Sequence, residues 1–260
     1  MTMTLKLLGR MRVDGSIKVL TGLHIGAGKD TIEIGGIDNP VIKHPHSGEP
    51  YIPGSSVKGK LRYLLEWAFQ PVYDSIRQDG KPWGSDDTQP YKHDDPVLRI
   101  FGTAAKREKW PVGPTRLMVR DAMLRVTWRD QVLKSGETYT EEKTEVVIDR
   151  IAGKAHDKIG PRQTERVPAG AIFDLEMVFR LYDTGDGGAR DRECLNWLLA
   201  GLHLLEQDAL GGSGSRGYGR IRFEDLTVRG DGIEVQRIDN AFRVVRFDPR
   251  EAPAIVNFVS

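Results

Sequence analysis

The sequence predicts an α+β fold, because stretches with an apolar residue at every second position alternate with stretches that carry apolar residues at helical spacing. The first stretch predicts a half-buried strand that runs to about "TGLHIG", with apolar residues at Met11, Val13, Ile17 and Val19. Next, "PGSSVKGKLRYLLEWAF" has the periodicity of an amphipathic helix. Ser55 or Ser56 is the expected N-cap of this first helix.

Two middle strands, a second helix and a last strand complete the pattern. "TRLMVRDAMLRV" predicts one strand, and "AIFDLEMVFRL" predicts another whose apolar face runs from Phe173 to Leu181. "ECLNWLLAGLHLLEQDALGG" predicts the second amphipathic helix, closed by glycines, and "RIRFEDLTV" predicts a strand with Ile221 and Phe223 on one face. The order strand, helix, strand, strand, helix, strand is that of the ferredoxin-like fold, which RNA-recognition domains also use.

The chain divides into one domain with three additions. We expect a single domain at 1–229, with a loop-rich insertion at 70–113, where Pro, Gly, Asp and Lys are frequent. A second addition, between the middle strands, is an arm at 126–168 that contains the basic run "RIAGKAHDKIGPRQTER". A solvated charged loop is the alternative interpretation of such a run. The third addition is a C-terminal extension at 230–260.

Composition limits the class of protein. The 260 residues suffice for a core without disulfides, and the single cysteine, Cys194, lies in an apolar helical pattern typical of a buried thiol. No apolar run has the length of a signal peptide core or a membrane span, so we expect a soluble cytoplasmic protein without a membrane partner. The net charge of +1 argues against a surface that attracts phosphate everywhere, so any nucleic-acid contact must be local.

A glycine pattern near the end of the domain raises the question of a nucleotide cofactor. Gly212, Gly214 and Gly217 have the G-x-G-x-x-G spacing of dinucleotide-binding loops. Such a loop follows a strand and opens a helix, whereas these glycines follow a helix and precede a strand. The context therefore disfavours a dinucleotide and leaves two alternatives: a flexible turn, or a loop whose N–H groups meet a phosphate chain beside Arg216 and Tyr218.

Seven segments together carry a resemblance to a known family. They are "TGLHIGAG", "GGIDNPVIK", "YIPGSSVKGKLR", "IFGT", "VIDRIAGKA", "PRQTERVPAG" and "LGGSGSRGYGRIRFEDL". Their sequence and order resemble the repeat-associated mysterious protein (RAMP) superfamily, and within it the Csm-type backbone subunit of type III-A CRISPR effector complexes. The resemblance does not extend to 230–260 or to part of the insertion.

The resemblance implies a backbone subunit that polymerises along a CRISPR RNA guide and cuts complementary target RNA at regular intervals. It implies head-to-tail copies in an open filament, capped by other subunits of the complex. The arm at 126–168 corresponds to the family's thumb, a β-hairpin that splays one nucleotide per subunit. Cleavage in this family depends on a divalent metal, Mg²⁺ or Mn²⁺, and on an acidic loop residue that corresponds to Asp38.

The residues around Asp38 are compatible with that role but do not establish it. Gly35 and Gly36 give the loop freedom to approach a ligand, and Pro40 stiffens its exit. A lone Asp in such a loop is otherwise a turn former. With RNA present, Asp38 would act as a metal ligand, completed by phosphate oxygens and water, or would accept the 2′-OH proton; we favour metal positioning.

Guide binding is assigned to cations, hydroxyls and one aromatic ring. Ser55 and Ser56 offer a phosphate the start of the first helix, and Lys58 and Arg62 share one helix face. Capped helices with solvated cations, and a structural His24, are the alternatives. The complete RNA-binding prediction comprises His24, Ser55, Ser56, Lys58, Arg62, Arg150, Arg162, Arg166, Arg216 and Tyr218.

Three other functions compete with guided cleavage. The first is a guide-binding subunit without cleavage, and the second is a metal-independent endoribonuclease that processes the guide, often through histidine. The third is a cofactor enzyme that uses the glycine loop. Loss of magnesium-stimulated cutting on replacement of Asp38 would indicate guided cleavage and exclude the subunit without cleavage. Cutting in the presence of a chelator would indicate the guide-processing nuclease. Binding of a nucleotide without RNA would indicate the cofactor enzyme.

Overall fold

The structure is a computed structural model that describes residues 5–28, 38–69, 80–85, 91–104, 110, 112–230, 233–246 and 254–259, the last two ranges as backbone only. It is a mixed α/β fold with a large antiparallel sheet. The strands are β1 (Lys6–Val19), β2 (Tyr51–Ile52), β3 (Leu117–Val119), β4 (Ala122–Met123), β5 (Glu141–Glu145), β6 (Arg162–Arg166), β7 (Ile172–Asp183), β8 (Ile221–Gly230), β9 (Ile233–Arg246) and β10 (Ala254–Val259). The helices are α1 (Gly54–Ala68), α2 (Pro96–Phe101), α3 (Val126–Ser135) and α4 (Ala189–Gln207).

The main sheet contains six strands in the order β10-β9-β8-β1-β7-β3, and every neighbouring pair is antiparallel. The alternation seen in the sequence is confirmed as burial of one sheet face, since Val13 and Ile17 of β1 and Phe173 and Met177 of β7 are fully buried. That face packs against α1 and α4, whose apolar stripes complete one core. In the part of the chain that the structure describes, no helix is long and apolar enough to cross a membrane.

The first helix begins differently from the sequence prediction. Pro53, with φ −58°, is the N-cap, and neither Ser55 nor Ser56 makes a side-chain cap. The N–H of Gly54 instead donates to Asp121 Oδ1 at 2.7 Å, so a distant loop satisfies one of the free N–H groups of the helix. The capping prediction was therefore wrong, because the cap comes from tertiary contact and not from the adjacent sequence.

The stretch predicted as one middle strand is divided in two. β3 pairs with β7, the ladder is interrupted at Arg120 and Asp121, and β4 pairs with β2 through Met123 and Tyr51 before Leu124 returns to β7 opposite Phe173. The helix α3 then starts at Val126. This helix also corrects the predicted arm at 126–168, because the first ten residues of that range are helical. The hairpin itself consists of β5 and β6, with Glu141 opposite Arg166.

The insertion at 70–113 contributes to the core, contrary to the prediction of a peripheral loop. Val97 and Ile100 of α2 are buried in the main core. Arg99, also on α2, and Arg116, just before β3, are buried against Asp191 of α4 at 2.8 and 2.9 Å. A buried arginine interrupts the apolar pattern that predicts a core element. For this reason the sequence did not predict that α2 belongs to the core.

The extension that begins at residue 230 continues the sheet. β9 pairs with β8, with Thr227 opposite Arg237, and β10 pairs with β9 at the sheet edge. On the other side of the fold, α4 ends at Gln207 and β8 starts at Ile221. The glycines between them follow a helix and precede a strand, as the sequence indicated.

Candidate RNA-binding and cleavage site

Two loops are attached to the same edge of β6. The N–H of Gln163 donates to Asp38 Oδ2 at 3.2 Å, and the N–H of Glu165 donates to the carbonyl of Asn39 at 3.1 Å. The carbonyl of the same Glu165 lies 2.7 Å from His24 Nδ1. We call His24, Asp38, Asn39 and residues 163–165 the edge site. The structure thus brings together two predicted site residues, His24 and Asp38, and places them at the base of the arm.

Asp38 is exposed, and among the described residues one of its oxygens accepts a single hydrogen bond, from the N–H of Gln163. The glycines Gly35 and Gly36 lie outside the described residues. Among the residues described, no group of three His, Cys, Asp or Glu side chains could hold a metal ion. An exposed carboxylate can supply oxygen ligands to Mg²⁺, which retains waters and accepts phosphate oxygens, so Asp38 fits the role of a partial ligand and not of a complete cage.

Glu165 fixes the loop that carries Asp38. Its carboxylate is almost fully buried and accepts from Lys43 Nζ at 2.6 Å, Thr140 Oγ1 at 2.6 Å and the N–H of Val41 at 2.9 Å. Burial alone would raise the pKa of Glu165, but these hydrogen bonds outweigh burial and hold that pKa below its ordinary value. In the sequence, Glu165 is only one charge within the basic run. The partners of Glu165 are too distant in the sequence for a local pattern to reveal them.

The glycine loop packs against the end of β1 near the edge site. Gly212 donates to the carbonyl of His24 at 2.9 Å, and Gly219 donates to that of Gly22 at 3.0 Å. Gly211 and Gly219 have φ values of 78° and 73°, and a Cβ on either would collide with a backbone carbonyl. Close backbone packing therefore requires glycine at these two positions. This structural role accounts for both glycines without a bound dinucleotide.

Tyr218 differs from its predicted role as an open stacking face. It is 1% exposed, and its hydroxyl donates to Glu145 Oε1 at 3.0 Å. Lys143 Nζ and the Arg166 guanidinium lie over its ring, 4.4 and 5.3 Å from the centroid. The prediction of base stacking on Tyr218 is corrected: the ring joins the glycine loop to both strands of the hairpin.

The predicted cations differ in whether acidic partners neutralise them. Arg166 pairs with Glu141 at 2.6 Å, and Arg216 pairs with Glu145 at 2.8 Å. Arg150 and Arg162 are exposed and have no acidic partner among the described residues. The arm therefore carries one such cation between its strands, at Arg150, and one at the start of β6, at Arg162.

Apolar side chains accompany these cations at the outer part of the arm. The chain there is held by backbone pairing between Ile148 and Ala155 and by Asp149, whose carboxylate accepts two N–H groups at 2.8 Å. Although the segment is ordered in this way, it leaves four large side chains in solvent: Val146 (56% exposed), Ile148 (50%), Ile151 (100%) and Ile159 (43%). Four exposed apolar side chains within fourteen residues are available for contact with a partner.

The predicted residues of α1 have contacts outside the edge site. Lys58 Nζ donates to the carbonyl of Leu117 at 3.1 Å, and burial lowers its pKa. Arg62 pairs with Glu66 at 2.7 Å and donates to the carbonyl of Trp83. Both side chains therefore bind other parts of the chain, and neither extends freely toward a phosphate. Ser55 is exposed, and Ser56 is half-buried.

Comparison with known proteins shows which family the chain resembles. The profile of the RAMP superfamily matches residues 16–222. The chain is 42% identical to the "CRISPR system Cms endoribonuclease Csm3" of Methanocaldococcus jannaschii over 229 residues, which cover 86% of this chain and 82% of that protein. It is 38% identical to the protein of the same name from Enterococcus italicus over 216 residues, which cover 82% and 89%.

Two solved structures are similar at 28% identity and a TM-score of 0.52. One is a crystal structure of the Csm3-Csm4 subcomplex in the type III-A CRISPR-Cas interference complex, where the match covers 90% of both chains. The other is the crystal structure of Methanopyrus kandleri Csm3, where it covers 86% of this chain and 78% of that chain.

Proposed function

Because the chain is a member of the RAMP superfamily and of its Csm3 family, we propose that it is the repeated backbone subunit of a type III-A CRISPR ribonucleoprotein. It binds the CRISPR RNA guide and cleaves the complementary target RNA at regular intervals. The observation that carries this proposal is the attachment of an exposed acidic residue, Asp38, to β6, the returning strand of the hairpin in the arm.

The fold supports this function through its central four strands. The order β8-β1-β7-β3, with α1 and α4 on one face, corresponds to the ferredoxin-like arrangement. We assign the hairpin of β5 and β6, with the segment between them, to the family's thumb. Its outer part combines unpaired cations, which attract phosphate, with exposed apolar side chains, which can pack against unstacked bases.

The mechanism requires a displaced nucleotide and a carboxylate beside it. Attack by a ribose 2′-OH needs that oxygen in line with the departing 5′-oxygen, and a regular A-form helix does not provide this alignment. An arm that separates one nucleotide from the stack frees the backbone to rotate. Asp38 extends from the base of the same arm, so the distance between the wedge and the acidic residue is set by β6.

Asp38 acts at this kink as an oxygen ligand, and Gln163 and the Glu165 contacts orient its loop. A bound Mg²⁺ or Mn²⁺ would polarise the phosphate and stabilise developing charge. The protein residues position the RNA and the carboxylate, and phosphate oxygens and water would supply the other ligands of the ion. Identical subunits arranged head to tail would repeat the site along the guide, and other subunits of the complex would cap the filament.

The test is cleavage by the assembled complex with Asp38→Ala. We expect target binding within about twofold of the native complex and loss of Mg²⁺-stimulated cutting. Asp157→Ala is the matched control, because Asp157 is an exposed aspartate on the arm whose described ion pair is with Lys154. Undiminished cutting by Asp38→Ala would remove Asp38 from the mechanism; persistent cutting in chelator would favour a metal-independent nuclease. A native complex that binds target without cutting would favour the non-catalytic backbone.

A further inference from the structure

The ring of His24 has one nitrogen in use and one open. Nδ1 lies 2.7 Å from the carbonyl oxygen of Glu165. Because a carbonyl can only accept, Nδ1 carries the hydrogen, and the neutral ring then has an unprotonated Nε2. Among the described residues, Nε2 has no hydrogen-bond donor. The fold thus fixes the tautomer and leaves a hydrogen-bond acceptor free.

Two glycines leave space around this acceptor. A Cβ at Gly26 would lie 3.5 Å from Nε2, with no other described atom within 4 Å, and a Cβ at Gly212 would lie 3.5 Å from Cδ2 of the same ring. Gly26 is exposed. Any larger residue at these positions would narrow the approach to the ring, so the glycines keep Nε2 accessible to a ligand.

The open nitrogen belongs to the same surface as Asp38. His24 is bonded to the carbonyl of Glu165, and Asn39 is bonded to the N–H of Glu165. In an extended strand these two groups of one residue point to the same side. RNA that reaches Asp38 therefore passes the ring of His24.

We propose that His24 Nε2 accepts a hydrogen bond from a ribose 2′-hydroxyl of the bound RNA and so distinguishes RNA from DNA. The inference rests on the proposed function, because it needs RNA at the edge site. Phosphate oxygens are acceptors and cannot satisfy an unprotonated nitrogen. Base amino groups of paired nucleotides already donate to the opposite strand, and a displaced base offers an amino donor only when it is A, C or G. The 2′-hydroxyl is the donor that every ribonucleotide offers and that DNA lacks.

The experiment uses the assembled complex and RNA with single 2′-deoxy substitutions. One series places them along the guide and the other along the target, so the two series identify the strand that supplies the hydroxyl. His24→Asn is the diagnostic variant, because its amide can still donate to the Glu165 carbonyl in the place of Nδ1 but offers nothing at Nε2. His24→Gln is the second variant, since its longer side chain carries a carbonyl acceptor toward the position of Nε2.

For the native complex we expect about fivefold weaker target binding, or guide retention, at regularly spaced deoxy positions, as for the loss of one hydrogen bond. In His24→Asn the deoxy effect should fall below twofold, and His24→Gln should restore part of it. His93→Asn, an exposed histidine of the insertion, is the matched control and should retain the native pattern.

The same data separate the inference from the proposed function. If the native complex binds and cuts all-ribose target but shows no deoxy-sensitive position, or if the sensitivity is equal in His24→Asn, the inference is wrong and the proposed function stands. If the native complex holds no guide and binds no target, the proposed function itself fails.

Discussion

Asp191 offers the clearest quantitative test of how the insertion is held to the fold. Its carboxylate is fully buried, with Oδ1 bonded to Arg99 at 2.8 Å and Oδ2 bonded to Arg116 at 2.9 Å and to the N–H of Tyr182 at 2.8 Å. In Asp191→Asn the amide oxygen can occupy the position of Oδ2. The amide NH₂ must then face Arg99, a donor against a donor, and the charge that balances two buried guanidinium groups is gone.

Removing one partner from a buried ion pair costs about 3–5 kcal/mol, because the remaining charge stays buried without compensation. We therefore expect Asp191→Asn to lower the free energy of unfolding by about that amount, a large part of the 5–15 kcal/mol typical of a domain. Urea unfolding of the purified full-length chain measures the loss. Asp174→Asn is the control, because its pair with Arg125 is on the surface and should be worth less than about 1 kcal/mol.

A double variant tests the reason for the loss. Arg99→Met combined with Asp191→Asn removes, at similar volume, the one of the two orphaned cations that faces the new amide NH₂, so the double variant should be more stable than the sum of the two single losses by at least about 1 kcal/mol. If Asp191→Asn unfolds within about 1 kcal/mol of the native chain, or if the double variant shows simple additivity, the buried network does not hold α2 in the manner described.

The remaining predictions concern the hairpin, pH and two glycines. Tyr218→Phe should leave target cleavage within about threefold, because the ring keeps its contacts with Lys143 and Arg166, whereas Tyr218→Leu should broaden the cut positions mapped on target RNA; equal patterns would argue against a role of the ring in joining the glycine loop to the hairpin. Burial raises the pKa of Asp95 to about 6 from 3.8, so the folded chain retains a proton that the unfolded chain loses. Stability should consequently fall by about 3 kcal/mol as the pH rises from about 4 to 6, and urea unfolding of Asp95→Asn should lack this fall. In thermal unfolding, Gly59→Ala should stabilise the folded chain by about 0.5–1 kcal/mol, because a Cβ at this position of α1 would lie in open space. Gly219→Ala should destabilise the folded chain by more than that amount, because its Cβ would collide with a backbone carbonyl. A change of the same sign in both variants would contradict the structural role given to Gly219.

Local periodicity was sufficient to predict the main strands and the two long helices. β7 is the clearest case, because every second residue from Phe173 to Leu181 is buried as the alternation required. The position of the glycine loop between α4 and β8 also followed from order along the chain. These features depend on neighbours in the sequence, which a pattern search reads directly.

The candidate site was predicted only in part. Asp38 and His24 were named through the family resemblance, but their common attachment to β6 was not, because the hydrogen bonds that make it join residues 125 and 141 positions apart. Lys58, Arg62 and Tyr218 were interpreted as available to RNA, and the fold uses all three internally. Sequence composition counts such charges and rings without indicating which of them find a partner inside the chain.

The sequence by itself determined the segments that form β1, β7, β8, α1 and α4, since one buried face imposes a period of two or of about 3.6 on the residues that form it. Through its family-specific motifs, the sequence also indicated Asp38 and His24 as candidate site residues. Tertiary structure alone decided which cations are neutralised, which carboxylate stays exposed and which histidine nitrogen stays open. The physical reason is that hydrogen bonds and ion pairs form between atoms within about 3 Å of each other, and only folding brings such distant residues to that separation.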